Sequence, residues 1–266
     1  MTASAPVVLV ERRERVMIIT LNRPAARNAV NLEVTLAVGH ALEDADADPD
    51  CRAVILTGAG DKAFSAGADL KALSTGVRNV PEDPVQFAWG FAGYVSHNIS
   101  KPTIAAVNGM AFGGGTELVL ASDLAVAADT AQFGLPEVKR GILAGAGGTF
   151  RIGTQVPAKL AMELLLTGDP ISAQRALELG LVNAVVPFGQ LLDAALALAA
   201  RITVNAPLAV QASKRMARGI IDGRMPAEEA LWVQSRKEGG ALMRSEDGRE
   251  GPRAFAEKRP PVWKAR

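Results

Sequence analysis

The chain has 266 residues, 48% hydrophobic and 21% charged, enough for one large globular unit or a core with an added subdomain. Its 29 basic and 28 acidic residues leave a formal charge of +1, so no global field attracts nucleic acid or an anionic membrane, and a charged ligand must be met locally. A single cysteine, Cys51, excludes an internal disulfide and fits a reducing, cytoplasmic compartment, while the separated His40 and His97 form no metal-ligand cluster. No stretch of about 18 uninterrupted apolar residues occurs, and residues 1–6 lack a basic region followed by an apolar core, so neither a membrane span nor a secretion signal is expected.

Short apolar runs alternate with longer helical patterns. Residues 7–10 and 16–21 predict an opening strand pair, 32–47 a helix, and 53–56 a strand apolar on both faces. The same beat returns at 103–107, a strand, then a glycine run, a helix over about 114–122 and another buried strand at 124–128. Runs apolar on both faces suit parallel strands covered by crossover connections. Beyond residue 186 only helix is expected, at 191–203, 207–221 and 227–242, with breaks at Pro207, Gly223 and Pro226. The reading is α/β over residues 1–190 and all-helical over 191–266, with no low-complexity segment and no Walker-type phosphate loop.

Two glutamates stand in unusual company. Glu117 closes Gly113-Gly114-Gly115-Thr116-Glu117 and opens an apolar run, which places its carboxylate in the first turn of a buried helix beside unpaired N–H groups. Glu137 is flanked by Leu135, Pro136 and Val138. Two carboxylates in an apolar cleft titrate apart and do acid and base work on one substrate. A second constellation runs from Gly58 through Ala66, Gly67, Ala68, Asp69 and Leu70. Its small residues allow a ligand to approach the main chain, and N–H groups at Ala68 and Gly114 directed at one carbonyl oxygen would stabilise an enolate, each donor lowering the barrier by roughly 3 kcal/mol. Taken singly, these residues also fit plainer roles: Glu117 a helix-start carboxylate, Glu137 a solvated loop residue, Asp69 a helix N-cap. The run 145–148 lacks the preceding strand and spacing of a dinucleotide loop.

The strings AFSAGADLKAL, KPTIAAVNGMAFGGGTELVLASDLAVAA, FGLPEVKRGILAGAGGTFRI, LLLTGDPISAQRALELGLVNAVV and EGPRAFAEKRPPVW resemble, in this order, the crotonase superfamily and its enoyl-CoA hydratase branch. The resemblance implies a crotonase fold, a spiral of repeated ββα units followed by C-terminal helices that pack at the interface of a homotrimer or dimer of trimers. It implies an acyl-CoA thioester as substrate, with no metal and no cofactor beyond the CoA carried by that substrate. Ala68 and Gly114 match the oxyanion hole. Glu117 and Glu137 match the pair that holds water, Glu117 activating it for attack on Cβ and Glu137 delivering a proton to Cα, and Gly145 matches a third water contact. CoA contacts are implied at Ala25, Ala26 and Arg27, in the loop at Ala66, Asp69 and Leu70, and at Phe255 and Lys258 on the closing C-terminal helix. Ala25 stands where many relatives have lysine, and Ala144 where the family often has proline.

Both glutamates together favour hydration. Double-bond isomerisation runs with one carboxylate on the same oxyanion hole. The ending SEDGREGPRAFAEKRPPVWKAR resembles carnitine-type crotonobetainyl-CoA hydratases. A non-catalytic acyl-CoA-binding protein is the other reading, against which the cost of burying two acids speaks. Residues 73–89 are expected to shape the acyl pocket and so the choice of chain.

Overall fold

The strands that carry the fold are those with no polar face. Val16–Leu21, Ala53–Gly58, Thr103–Val107 and Leu124–Ala128 are buried almost throughout, as expected of central strands covered on both sides. The computed structural model describes residues 5–69 and 80–266. In it these runs are β2, β3, β5 and β7 of a six-stranded sheet ordered β1-β2-β3-β5-β7-β10, with β1 at Val8–Arg13 and β10 at Ala184–Val186. Only β1 runs antiparallel, and past Val8 its residues are exposed, as suits an edge.

A second sheet, absent from the sequence reading, is built from pieces of two or three residues: β4 (Ala63–Ser65), β6 (Met110–Phe112), β8 (Gln132–Gly134) and β9 (Ile171–Ser172), in that order. After each of β3, β5 and β7 the chain crosses to this smaller sheet, and each pass adds one parallel strand to both. This is the expected spiral. Helix follows β6 as α3 (Gly114–Ala121), and a 3₁₀ turn, Pro136–Arg140, follows β8. Residues 70–79, Leu70 among them, lie outside the described residues, as does the helix expected to begin near Asp69.

Because successive side chains on a strand point to opposite faces, the large sheet supplies two cores. Ile19, Val54, Leu56, Ala105 and Val107 pack with Val34, Val38 and Leu42 of α1 (Leu32–Ala47). Ile18, Ile55, Ile104 and Val126 meet Leu191, Ala195 and Ala199 of the helix Leu191–Thr203. Asn31 caps α1, its side chain accepting from Val34 N–H at 3.0 Å.

The other helices, in chain order, are α2 (Pro84–Ala88), α4 (Gly148–Gln155), α5 (Ala158–Thr167), α6 (Ala173–Glu178), α7 (the Leu191–Thr203 helix), α8 (Pro207–Arg218), α9 (Pro226–Arg244) and α10 (Glu246–Ala256). The helix expected over 207–221 stops at Arg218. Gly219 takes φ 63° and caps it, and Ile221 instead pairs with Arg224. Among the described residues no single helix is long and apolar enough to cross a membrane.

Candidate active site

The adjacency of β4 and β6 brings two loops together. Ser65 pairs with Ala111, so the segments that leave these strands run side by side. A Cβ placed on Gly67 would lie 2.9 Å from the Gly114 nitrogen and 3.1 Å from Phe112 O. On its other flank the loop is pinned to Val30, whose N–H donates to Gly67 O at 2.8 Å and whose carbonyl accepts from Asp69 N–H at 2.9 Å. In such a parallel bridge the middle residue turns its own N–H away from the partner, so Ala68 aims its donor away from Val30. Gly114 is the first residue of α3, and its N–H belongs to the set with no acceptor inside the helix. The two expected oxyanion donors are therefore neighbours.

The carboxylates arrive from the next two segments. Glu117, in the first turn of α3, is 3% exposed, and Glu137, in the 3₁₀ turn after β8, is 9% exposed. Glu117 does not rely on its own helix: its Oε1 accepts from Gly148 N–H at 2.9 Å, a partner from the start of α4. Glu137 reaches back over the glycine run, where a Cβ on Gly113 would sit 2.9 Å from Oε1. Its Oε2 is buried with no hydrogen-bond partner among the described groups. Burial pushes Glu117 up to about 8, the charge of Glu137 adds to this, and N–H groups at Gly148 and Ala146 pull it back. Burial likewise pushes Glu137 up to about 7. The two titrate as a pair, and near neutral pH the pair holds a proton it can release or accept.

Gly145 and Ala146 precede Gly148 in the same loop, and the Ala146 N–H also acts on Glu117. They line a cavity of about 860 Å³ that also touches Ala68, Phe91, Arg151 and Trp232. The Phe91 ring lies against Gly114, where a Cβ would be 2.5 Å from it. Val80, Pro81, Phe87 and Ala88 line the cavity too, so the part of the expected acyl-pocket segment 73–89 that is described does reach it.

The CoA positions fall into two groups. Ala25 and Ala26 form a 3₁₀ turn with Pro24, Arg27 follows at φ 54°, and Arg27 O accepts from Ala66 N–H at 2.9 Å. Ala25, Ala26, Arg27 and Ala66 thus form one continuous ridge leading to Ala68. Asn28 fastens it from beneath: buried and also left-handed at φ 53°, it accepts from Arg23 N–H and donates to Ala59 O and Ala63 O. That anchor was not foreseen. Asp69 pairs with Arg23 at 2.9 Å, which makes its carboxylate a tether between the two loops. Phe255 and Lys258 lie elsewhere. Phe255 sits on α10 beneath the Arg140 guanidinium at 4.3 Å, so the C-terminal helix packs on the turn that carries Glu137, and neither residue is among the described lining of the cavity.

Arg151 was also missed. It is 4% exposed, and its guanidinium clasps Glu228 of α9 through Nε at 2.9 Å and Nη2 at 2.6 Å. An arginine inside the short helix after a glycine run is the only signal the sequence offers, and its partner lies 77 residues away. Among the described residues no group of three metal-ligating side chains occurs.

The chain is similar to known proteins over nearly its whole length. A family model described as enoyl-CoA hydratase/isomerase matches residues 11–266. A carnitinyl-CoA dehydratase from Salmonella enteritidis is 44% identical over 259 residues, 96% of this chain and 97% of its own. The crystal structure of a carnitinyl-CoA hydratase from Mycobacterium avium superposes with a TM-score of 0.96 at 60% identity, covering 99% of this chain and all (100%) of its own. That of an enoyl-CoA hydratase from Mycobacterium tuberculosis gives 0.76 at 46% identity, covering 98% and 100%.

Proposed function

The chain belongs to the enoyl-CoA hydratase/isomerase family, and from that premise we propose that it adds water reversibly to a trans-2-enoyl-CoA, giving a 3-hydroxyacyl-CoA. The observation that carries the reading is the pair of buried carboxylates beside two adjacent main-chain donors. The thioester oxygen accepts from Ala68 and Gly114 N–H. Glu117 takes a proton as the water oxygen bonds to Cβ, the π electrons pass to the thioester as an enolate, and Glu137 protonates Cα. Elimination reverses each step. Polarisation by the donors and proton transfer by the acids each supply orders of magnitude in rate. Gly145 N–H is the further contact for the water, and CoA runs along the ridge of Ala25, Ala26, Arg27 and Ala66.

The acyl group we favour is of the carnitine type, the pair crotonobetainyl-CoA and carnitinyl-CoA. Relatives bearing that name at 44% and 60% identity support it. A simple enoyl chain is the second reading, supported by the enoyl-CoA hydratase at 46%. The site calls for no cofactor beyond CoA, and the single buried cysteine supports a reducing, cytoplasmic setting. The assembly is a homotrimer or a dimer of trimers, for which the bare face of α8 speaks: none of its residues is buried, and Leu208 and Met216 are 76% and 83% exposed.

The test is turnover of crotonobetainyl-CoA and crotonyl-CoA, followed by loss of the conjugated-thioester absorbance and by product mass. Addition of one water is expected, with Glu117→Gln and Glu137→Gln each slower by about 100-fold or more. A product of unchanged mass would mean isomerisation. Full activity in both variants would overturn the assignment.

A further inference from the structure

Hydration as described has no task for Arg151 and Glu228, yet they form the most heavily buried ion pair among the described residues, their side chains 4% and 12% exposed. Every arm of the guanidinium is engaged. Nε and Nη2 hold the two oxygens of Glu228, and Nη1 donates to Val95 O at 2.8 Å. Glu228 also accepts from Trp232 Nε1 at 3.2 Å. This pair ties α9, which lines the cavity through Glu228 and Trp232, to the first turn of α4.

The clasp ends beside Glu117. A Cβ on Gly147 would lie 3.3 Å from Arg151 Cδ and 3.4 Å from Nε and Nη1, so the guanidinium supports this glycine from below. The next residue, Gly148, supplies the N–H held by Glu117. Two charged groups from neighbouring elements act on the Glu117 carboxyl, Glu137 from the 3₁₀ turn and Arg151 from α4, in opposite directions. Glu228, from α9, faces Arg151 with the opposite charge. Left unpaired, a buried arginine packed against Gly147, beside the residue whose N–H Glu117 holds, would favour the ionised form of Glu117.

We propose that Glu228 is a positioning residue for the reaction: by pairing with Arg151 it keeps Glu117 able to take up and release a proton near neutral pH, and by clamping Arg151 under Gly147 it fixes the N–H that orients Glu117. The helix that closes the acyl cavity thereby sets the protonation of the acid–base pair. The role of Glu117 rests on the hydration reading, but its protonation can be measured without turnover.

The experiment is a carbon-13 NMR titration of the full-length protein labelled at glutamate carboxyls, with the Glu117 signal assigned by its loss in Glu117→Gln. In Glu228→Gln the unpaired arginine lowers the Glu117 midpoint by roughly one unit. In Arg151→Gln the unpaired glutamate raises it. The double variant, with a neutral pair of similar shape, returns towards the wild-type value. Should one single variant fold poorly, the other single variant against the double gives the same sign test. A midpoint common to all four proteins overturns the proposal. In kinetics, Glu228→Gln moves the acid limb of kcat/KM for hydration to lower pH and lowers kcat more than it raises KM, whereas a purely structural pair would leave that limb in place. Wild-type protein inactive on every enoyl-CoA would count against the hydration reading, and the titration would still decide this one.

Discussion

Replacing Glu117 with glutamine separates what the carboxylate costs the fold from what it does for the reaction. Glutamine keeps the shape and still accepts from Gly148 N–H, so the hydrogen bond of 2.9 Å survives and only the ionisable proton is lost. The folded protein holds Glu117 at about 8 against an ordinary value of 4.5. Across that window the folded state binds more protons than the unfolded state, so stability is fully present below about 4.5 and drains away as pH rises through about 8. At about 1.4 kcal/mol per unit, full ionisation of this group costs on the order of 5 kcal/mol, and sharing the titration with Glu137 brings the expected loss to roughly 2–5 kcal/mol. Glu117→Gln removes it. Urea unfolding at pH 5 and pH 9, at one protomer concentration, should find the variant close to wild type at pH 5 and more stable by roughly 2–5 kcal/mol at pH 9, though catalytically disabled. A difference that does not change with pH would refute the reasoning, because it would mean that Glu117 is either solvated or already ionised in the folded state.

Gly114→Ala places a Cβ 2.5 Å from the Phe91 ring, so the donor must move. Steady-state kinetics should show kcat lower by about 100-fold, partly restored in Gly114→Ala/Phe91→Ala. Gly148→Ala brings a methyl to 2.8 Å from Ala144 Cβ and 3.0 Å from Glu117 Oε1. Denaturation should report a loss of roughly 1–3 kcal/mol and turnover a fall of at least about tenfold, through displacement of Glu117. Leu208→Asp combined with Met216→Asp charges the bare face of α8, and sedimentation velocity should find smaller species than the wild-type assembly.

The central strands of the large sheet were legible because doubly buried strands leave an unbroken apolar run, and Thr103–Val107 or Leu124–Ala128 can be read directly from the sequence, whereas the half-buried edge strand Ala184–Val186 could not. The small sheet was not legible, since strands such as Ala63–Ser65 and Ile171–Ser172 are too short for an alternating pattern to repeat. Likewise the two glutamates could be singled out from their apolar neighbours, but not the partners that tune them. Gly148 lies 31 residues from Glu117, and Glu228 lies 77 from Arg151; such pairings are set by tertiary packing alone. Asp69 is a further case: local rules favour it as a helix cap, the helix it would cap lies outside the described residues, and its contact with Arg23, brought up from 46 residues away, is set by tertiary packing.

The site follows from the spiral itself. β4, β6 and β8 are parallel neighbours, so their C-terminal ends lie on one side, with Ser65 opposite Ala111 and Phe112 opposite Gly134. The segments that leave them are then spaced like strands, about 5 Å apart. The first carries Ala68, the second Gly114 and Glu117, the third Glu137. The second and third are stitched together by Gly113 N–H donating to Gly134 O and by Thr116 Oγ1, which donates to Ala111 O and accepts from Gly134 N–H. Three adjacent loops thus span about 10 Å, which on the proposed reading leaves room for a thioester oxygen, Cα, Cβ and a water between groups drawn from all three. Each turn of the spiral places its contribution at the same end of the small sheet. The proposed site, with an oxyanion hole shared by the first two loops and carboxylates on the second and third, therefore needs no special folding device beyond the repeat, and the burial that lifts both carboxylates into the neutral range comes from the same packing.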